Sequence, residues 1–147
     1  MIRLLNKNDY NTWLTLAKEV EPLFGPMVQS QEFQNGIKVC IKNKDAYGIE
    51  DASGTIAGII AINRAEKEIS WLAVGEKYRG YGYGEKLIKK AIDKLEIYGD
   101  IFVQTFASGI ESGTCARHVY EKNGFIEYKN AGKNPAGLET ILMIRKK

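Results

Sequence analysis

Residues 74–84 read Val-Gly-Glu-Lys-Tyr-Arg-Gly-Tyr-Gly-Tyr-Gly, and they join an apolar segment, residues 69–74, to a helical pattern that begins at Glu85. Arg79 is followed by glycines that alternate with tyrosines: Gly80, Tyr81, Gly82, Tyr83 and Gly84. Glycine allows a positive φ and close backbone approach, so several N–H groups of such a loop can surround one anion. The helix adds unpaired N–H groups and the positive end of its dipole. The spacing therefore predicts a pyrophosphate-binding loop.

Two other phosphate-binding loops do not fit this stretch. A dinucleotide loop has the spacing G-x-G-x-x-G directly after a strand, whereas this chain has G-x-G-x-G and places residues 75–78 before Arg79. A P-loop needs Gly-Lys followed by Ser or Thr. The chain has Gly84-Glu85-Lys86 instead, which offers no hydroxyl for magnesium.

Composition narrows the class of protein. The chain has 147 residues, is 44% hydrophobic and 27% charged, and carries a net charge of +3, which favours one ordinary globular domain. That charge is too small and dispersed to indicate nucleic acid. No segment approaches the ~18 apolar residues of a membrane span, and the N-terminus lacks the apolar core of a signal peptide. Cys40 and Cys115 lack metal-ligand spacing, so we expect no metal and a reducing cytoplasm.

The periodicity of apolar residues predicts an α/β fold with a single domain over residues 1–147. The predicted strands are residues 2–5, 47–50, 56–62, 69–74, 101–106, 125–129 and 140–145, and the predicted helices are 9–19, 31–42, 85–98 and 114–123. Pro22 predicts that the first helix is interrupted. Residues 130–137 predict a loop. The almost continuous apolar run 69–74 is typical of a central strand.

Two segments together resemble the GNAT superfamily of N-acetyltransferases. Residues 79–84 match its acyl-CoA signature R-x-x-G-x-G. Residues 116–125, Ala-Arg-His-Val-Tyr-Glu-Lys-Asn-Gly-Phe, look like its A-x-x-x-Y-E-K-x-G-F segment. The resemblance implies a mixed, mostly antiparallel central sheet flanked by helices, in the order β-α-α-β-β-β-α-β-α-β-β, over essentially the whole chain.

The resemblance also implies a donor site for acetyl-CoA as co-substrate. The backbone N–H groups that would hold its pyrophosphate are those of Arg79, Gly80, Tyr81, Gly82, Tyr83 and Gly84. The backbone of Leu72, Ala73 and Val74 would bind the pantetheine arm as an added strand and polarise the thioester carbonyl as an oxyanion hole does. A side chain at Gly82 or Gly84 would block this approach or forbid the required φ.

Tyr120 falls on the tyrosine that the family uses as general acid. A phenol with a pKa near ~10 can pass its proton to a leaving thiolate whose thiol has a pKa near ~8.5; the alternative is a core tyrosine at helical spacing. Glu68 lies where many members place a general base, with Glu66 beside it, and its alternative role is a solvated turn. His118 points to another helix face than Tyr120, so we do not assign it a catalytic role. We expect Cys115 to be a small buried residue.

The acceptor side carries less information. The family takes specificity from the junction of the first two helices and from the loop between the last two strands. In that junction Phe24 and Met27 would cover an acceptor amine and Glu21 would hold its ammonium, or the segment is a structural corner. Gly113 replaces the family asparagine that contacts the cofactor, and Ser108 or Ser112 are candidates to supply that contact.

The predicted function is transfer of an acetyl group from acetyl-CoA to a primary amine, on a small molecule or a peptide, by direct attack. The alternative is a non-catalytic acyl-CoA-binding or sensing module. We expect neither nucleic acid nor membrane as a partner. The oligomeric state is open, and the resemblance favours a homodimer, since exposed final strands in this fold often pair between subunits.

Overall fold

The computed structural model describes the backbone of residues 1–147 and every side chain except that of Ser112. The strands are β1 (Ile2–Leu4), β2 (Ala46–Glu50), β3 (Ile56–Asn63), β4 (Glu68–Val74), β5 (Ile101–Phe106), β6 (Phe125–Lys133) and β7 (Glu139–Arg145). The helices are α1 (Tyr10–Phe24), α2 (Gln31–Lys42), α3 (Tyr83–Leu95) and α4 (Thr114–Lys122). Short 3-10 turns occupy Lys7–Asp9, Glu76–Tyr78, Glu96–Tyr98 and Glu111–Gly113. This order of helices and strands confirms the prediction.

The seven strands form one sheet in the order β1-β2-β3-β4-β5-β7-β6. Neighbouring strands are antiparallel except for β4 and β5, which are parallel. This parallel pair is short: Glu68 lies opposite Phe102 and Ile69 opposite Val103, and the two strands then separate. The sheet therefore opens into a V at its centre, with β4 on one arm, which agrees with the central position predicted for this strand.

A β-bulge in β4 lies at the point where the V opens. Ile62 of β3 pairs with Ile69, but the preceding Ala61 pairs with Trp71. Ser70 is thus an extra residue without a partner in β3. A bulge bends its strand and re-aims the side chains around it, so β4 turns away from β5 immediately after Ile69.

The helices cover the two faces of the sheet with separate apolar layers. Helices α1 and α2 pack on one face through a cluster that includes Trp13, Leu16, Val20, Ile37, Ile59 and Ala73. Helices α3 and α4 pack on the other face through Leu87, Ile88, Leu95, Tyr120, Phe125 and Met143. The periodic apolar residues of each helix supply these contacts, which is why the sequence patterns located the helices correctly.

The ends of α1 and β6 differ from the prediction. Helix α1 continues through Pro22 to Phe24, because a proline in the last turn removes one hydrogen bond without displacing the remaining turns. Gly25, with φ +101°, ends the helix and donates its N–H to the Glu21 carbonyl at 2.7 Å. Strand β6 extends to Lys133, since register shifts after Glu127 and Asn130 keep the segment paired with β7. Residues 130–133 of the predicted loop therefore belong to β6, and the loop before β7 begins at Asn134.

Candidate active site

The glycine loop between β4 and α3 has the backbone that an anion site requires. Gly80 and Gly82 have φ of +85° and +80°, values that side chains disfavour. A Cβ on either would meet no atom within 4 Å, so this part of the loop borders open space. Gly84 is the second residue of α3 and has an ordinary helical φ. Gly84 therefore does not need glycine for its φ, because α3 begins two residues earlier than predicted. That a side chain at Gly84 would block the approach of the cofactor stays a prediction.

The start of α3 leaves hydrogen-bond donors available at this loop. Its first intrahelical hydrogen bond runs from the N–H of Lys86 to the carbonyl of Gly82 at 3.2 Å. The N–H groups of Tyr83, Gly84 and Glu85 consequently have no acceptor within the helix. The side chain of Arg79 is exposed and donates from Nε to the Val74 carbonyl at 3.3 Å. Loop and helix start together present backbone donors and one cation.

Helix α4 fixes the position of α3 through Glu85. The Glu85 carboxylate accepts hydrogen bonds from Lys122 Nζ and Asn123 Nδ2, both at 3.3 Å. Lys122 first and Asn123 second lower the pKa of Glu85, which stays ionised. These two residues belong to the second sequence motif, whose role in holding the start of α3 was not predicted from the sequence.

The V between β4 and β5 contains a cavity of about 230 Å³. One hydrogen bond shows which backbone groups of β4 face this cavity: the N–H of Gly75 donates to the Ala57 carbonyl of β3 at 2.8 Å. Because backbone groups alternate sides along a strand, those of Ala73 also point to β3, whereas those of Leu72 and Val74 point into the V. Of the three residues predicted to bind the cofactor arm through their backbone, Leu72 and Val74 are placed to do so.

Tyr120 lines this cavity from α4. The residue is only 3% exposed, and its ring packs edge-on against Phe125 with 5.4 Å between ring centroids. Burial raises the pKa of the Tyr120 phenol above its ordinary value. The group therefore keeps its proton throughout the neutral pH range.

Glu68 is the first residue of β4, opposite Asn63 on β3 and Phe102 on β5. It thus lies at the closed end of the V, two residues before the bulge at Ser70, and it does not line the cavity. Burial, and then the nearby charge of Glu66, raise the pKa of the Glu68 carboxyl. A raised pKa brings the carboxylate closer to the range in which a base accepts a proton near neutral pH.

The sequence comparison agrees with this geometry. A model of the acetyltransferase (GNAT) domain family matches residues 15–147. The chain belongs to the GNAT acetyltransferase family. A search of curated proteins found no match to its sequence.

Solved structures of other proteins share the GNAT fold at low sequence identity. A ribosomal-protein-alanine N-acetyltransferase from Brucella melitensis is 15% identical, with a TM-score of 0.78 over 100% of this chain and 99% of that one. A chain of the NatC complex bound to Gag peptide and CoA is 22% identical, with a TM-score of 0.77 over 100% and 98%. Spermidine N-acetyltransferase from Vibrio cholerae, in complex with CoA and spermine, is 18% identical, with a TM-score of 0.71 over 98% and 93%.

On the acceptor side of this GNAT domain, the structure separates the three residues predicted to bind substrate. Phe24 lines the cavity and packs on Phe106 with 5.3 Å between ring centroids. Glu21 instead accepts hydrogen bonds from the N–H groups of Met27 and Val28 at 2.7 and 2.9 Å. These bonds lower the pKa of Glu21. Glu21 and Met27 therefore form the corner between α1 and α2.

Gly113 departs from the family pattern for a steric reason. A Cβ at this position would lie 2.4 Å from Cβ and 2.7 Å from Cδ2 of Phe106. The Phe106 ring occupies the space that an asparagine side chain would need. Ser108 is exposed in the turn that follows β5. The side chain of Ser112 lies outside the described residues.

Several residues of the cavity wall were not predicted. Gln104 Nε2 donates to Thr140 Oγ1 at 3.0 Å, and Thr140 Oγ1 donates to the Gly132 carbonyl at 2.7 Å. Other unpredicted lining residues include Ser70, Trp71, Thr105, Phe106 and Asn134. They come from β4, β5, β7 and the loop after β6, and no spacing in the sequence connects them.

Another cavity of the domain, about 700 Å³ in volume, lies elsewhere. It is bounded by α1, the start of β3 and residues 75–78, and it shares no residue with the V. Its polar lining residues include Thr12, Thr15 and Glu19. Neither Tyr120 nor any residue of β4 lines it. We therefore assign the chemistry to the smaller cavity.

Other titratable groups lie apart from the cavity. His118 and Cys115 are both exposed on α4, so the expectation that Cys115 is buried was wrong. Within the described side chains, no three His, Cys, Asp or Glu residues are grouped to hold a metal ion. No helix among the described residues combines the length and apolarity that crossing a membrane requires.

Proposed function

We propose that this GNAT domain transfers an acetyl group from acetyl-CoA to a primary amine. The observation that carries the proposal is the open V, in which the backbone of Leu72 and Val74 faces away from β3. Leu72 lines the cavity together with the buried Tyr120, and Val74 leads into the glycine loop. Backbone groups for an extended amide-containing ligand thus lie between a proton donor on α4 and the donors for a pyrophosphate. Two of the structural neighbours are bound to CoA, which supports this assignment.

The residues of this chain fit the two ends of such a donor. The N–H groups after Arg79, together with the start of α3, suit the pyrophosphate. The N–H groups of Leu72 and Val74 can pair with amides of an extended arm and stabilise negative charge on a thioester oxygen. Acetyl-CoA supplies an acyl carbon that an amine can attack directly, with loss of a thiolate.

Proton transfers complete the proposed reaction. An ammonium acceptor must first lose a proton, since its pKa is near ~10.4; Glu68 takes that proton, through water because it lies outside the cavity lining. The amine nitrogen then forms a bond with the acyl carbon, the carbon–sulfur bond breaks, and Tyr120 gives its proton to the departing sulfur. The nitrogen releases its second proton to water, which leaves a neutral amide, and the Tyr120 phenolate regains a proton from water.

Replacing Tyr120 by Phe tests the proposal. We expect kcat to fall by roughly 10²-fold or more, the usual contribution of general acid catalysis, with the affinity for acetyl-CoA unchanged. Turnover is measured by thiol release and affinity by thermal shift. Tyr128→Phe is the control, because Tyr128 is exposed on β6. Acetyl-CoA binding without turnover of any amine by the wild type would indicate the alternative, a non-catalytic acyl-CoA-binding or sensing module.

Glu68 is tested by the pH profile of kcat/KM. A base must be deprotonated, so activity should fall as the pH drops through the raised pKa of Glu68. Glu68→Gln should lower kcat/KM and abolish this acid limb, whereas Glu66→Gln should retain it. An unchanged limb in Glu68→Gln would assign the base to another group.

Two further predictions from the sequence are that the protein forms a homodimer and that it resides in a reducing cytoplasm. Strand β6 is the outer strand of the sheet, and Ile126 and Tyr128 on it are exposed. Such an edge can pair with a second copy. Light scattering of the purified chain measures the oligomeric state directly.

A further inference from the structure

The two segments that would flank an acceptor are joined to each other. Asn134 Nδ2, in the loop between β6 and β7, donates to the Leu23 carbonyl at the end of α1 at 2.8 Å. Oδ1 of the same side chain accepts from the N–H groups of Ala136 and Leu138 at 2.9 and 3.1 Å, which fixes the loop. We call residues 23–25 and 134–135 the strap.

The strap is closely packed beside its hydrogen bond. A Cβ at Gly25 would lie 2.5 Å from Cβ of Pro135, so the two backbones approach at a distance that only glycine permits there. Phe24 and Phe106 pack against each other next to this contact. An extended peptide needs ~4.7–4.9 Å between itself and each neighbouring strand. The joined segments leave no such channel between them.

A second cavity, of about 360 Å³, lies beside α2. Ser70 and Trp71, the residues at and after the bulge, line both cavities. Its walls are aromatic: Trp71 lies 5.6 Å from Trp13 and 6.5 Å from Phe33 between ring centroids. Exposed Glu32 lies at its rim.

The lining of this second cavity indicates a cationic ligand. Aromatic faces attract ammonium groups, and Glu32 is the one charged residue among the described residues that line it.

We propose that the acceptor is a small alkyl diamine that enters beside α2, places its remote ammonium between the aromatic walls and Glu32, and presents its other nitrogen to the V at Ser70. This inference rests on the proposed acetyltransferase function and narrows its substrate class. The strap closes the space between α1 and the β6–β7 loop, so an extended polypeptide N-terminus has no entry there.

The test compares three acceptors at saturating acetyl-CoA: 1,4-diaminobutane, 1-aminobutane and a short peptide with a free N-terminus. We expect kcat/KM for the diamine to exceed that for the monoamine by about tenfold, the contribution of one charge-assisted contact, and the peptide to be the poorest substrate. Glu32→Gln should remove most of this difference through KM of the diamine. Asp93→Asn, an exposed carboxylate on α3, should preserve it.

The outcomes separate this inference from the proposed function. Acetylation of monoamine and diamine with equal kcat/KM, or faster acetylation of the peptide, would overturn the diamine inference while the acetyltransferase assignment stands. A diamine preference that persists in Glu32→Gln would overturn the assigned position of the remote ammonium. Acetyl-CoA binding with no acetylation of any amine would overturn the proposed function itself.

Discussion

The two sides of the V are built in different ways. On the donor side, the glycine loop and the start of α3 present backbone N–H groups from one continuous segment, and Glu85 ties this segment to α4. On the acceptor side, Phe24, Phe106 and Asn134 meet in the wall although they are far apart in the chain. The strap hydrogen bond alone joins residues separated by 111 positions.

This difference separates two kinds of specificity. Backbone groups bind what all acyl-CoA molecules share, and they tolerate changes of side chain except where glycine is required. Side chains gathered from distant elements can each be replaced, so the acceptor can differ between proteins that keep the same donor site. Substitutions on the two sides should accordingly change different measurements.

The largest effect on stability is expected at Gly113, on the acceptor side. Gly113→Ala places a Cβ against the Phe106 ring, and such overpacking costs roughly 1–3 kcal/mol. The free energy of unfolding should fall by that amount in urea denaturation. Gly36→Ala on α2 is the matched control, because a Cβ there meets no atom within 4 Å and alanine favours the helix. Equal stability of Gly113→Ala and wild type would show that Phe106 is free to move.

On the donor side, Gly82→Ala should weaken acetyl-CoA binding with little effect on the acceptor KM. The left-handed φ costs a side chain roughly 1–2 kcal/mol, which corresponds to about five- to thirtyfold in affinity if the loop must regain this conformation to bind. Titration calorimetry measures the change. Gly99→Ala is the control: Gly99 has a positive φ of +116° beyond the other end of α3, and this variant should bind acetyl-CoA as the wild type does.

Asn134→Ala should open the strap. Loss of its hydrogen bond to Leu23 is worth about 1 kcal/mol, which lowers Tm by about 2–4 °C in a domain of this size. The acetylation of a peptide N-terminus relative to a diamine should rise. Asn130→Ala, at an exposed position of β6, should change neither quantity. An unaltered peptide-to-diamine ratio in Asn134→Ala would show that the strap does not select the acceptor.

The smallest effect is a pH dependence of stability at the α1–α2 corner. Hydrogen bonds from Met27 and Val28 lower the pKa of Glu21 below its ordinary value of 4.5. The ionised Glu21 carboxylate stabilises the fold at pH values above 4.5. This stabilisation is lost as the pH falls through the lowered pKa. Glu21→Gln should therefore reduce Tm at pH 7 and differ less from the wild type in acid. Glu139→Gln, exposed on β7, should show no such trend.

Much of the fold was predictable because the signals are local. The apolar stripes of α2 and α3 and the turn residues around β3 located these elements to within a few residues. The errors occurred where the surrounding structure tolerates a residue that usually ends a helix or strand. Pro22 lies in the last turn of α1, and the segment around Gly132 stays in the sheet through bulges. The bulge at Ser70 was not predicted, since no residue type there requires it.

The sequence by itself determined the family and the donor chemistry. A pyrophosphate-binding loop and the helix after it form one continuous segment, and the glycines that allow its backbone conformation can be recognised directly in the sequence. Tertiary structure decided which backbone groups of β4 face the V, that Phe106 excludes a side chain at Gly113, and that the strap joins Leu23 to Asn134. These depend on register, strand separation and contacts between distant segments. Such features arise only when the whole chain packs.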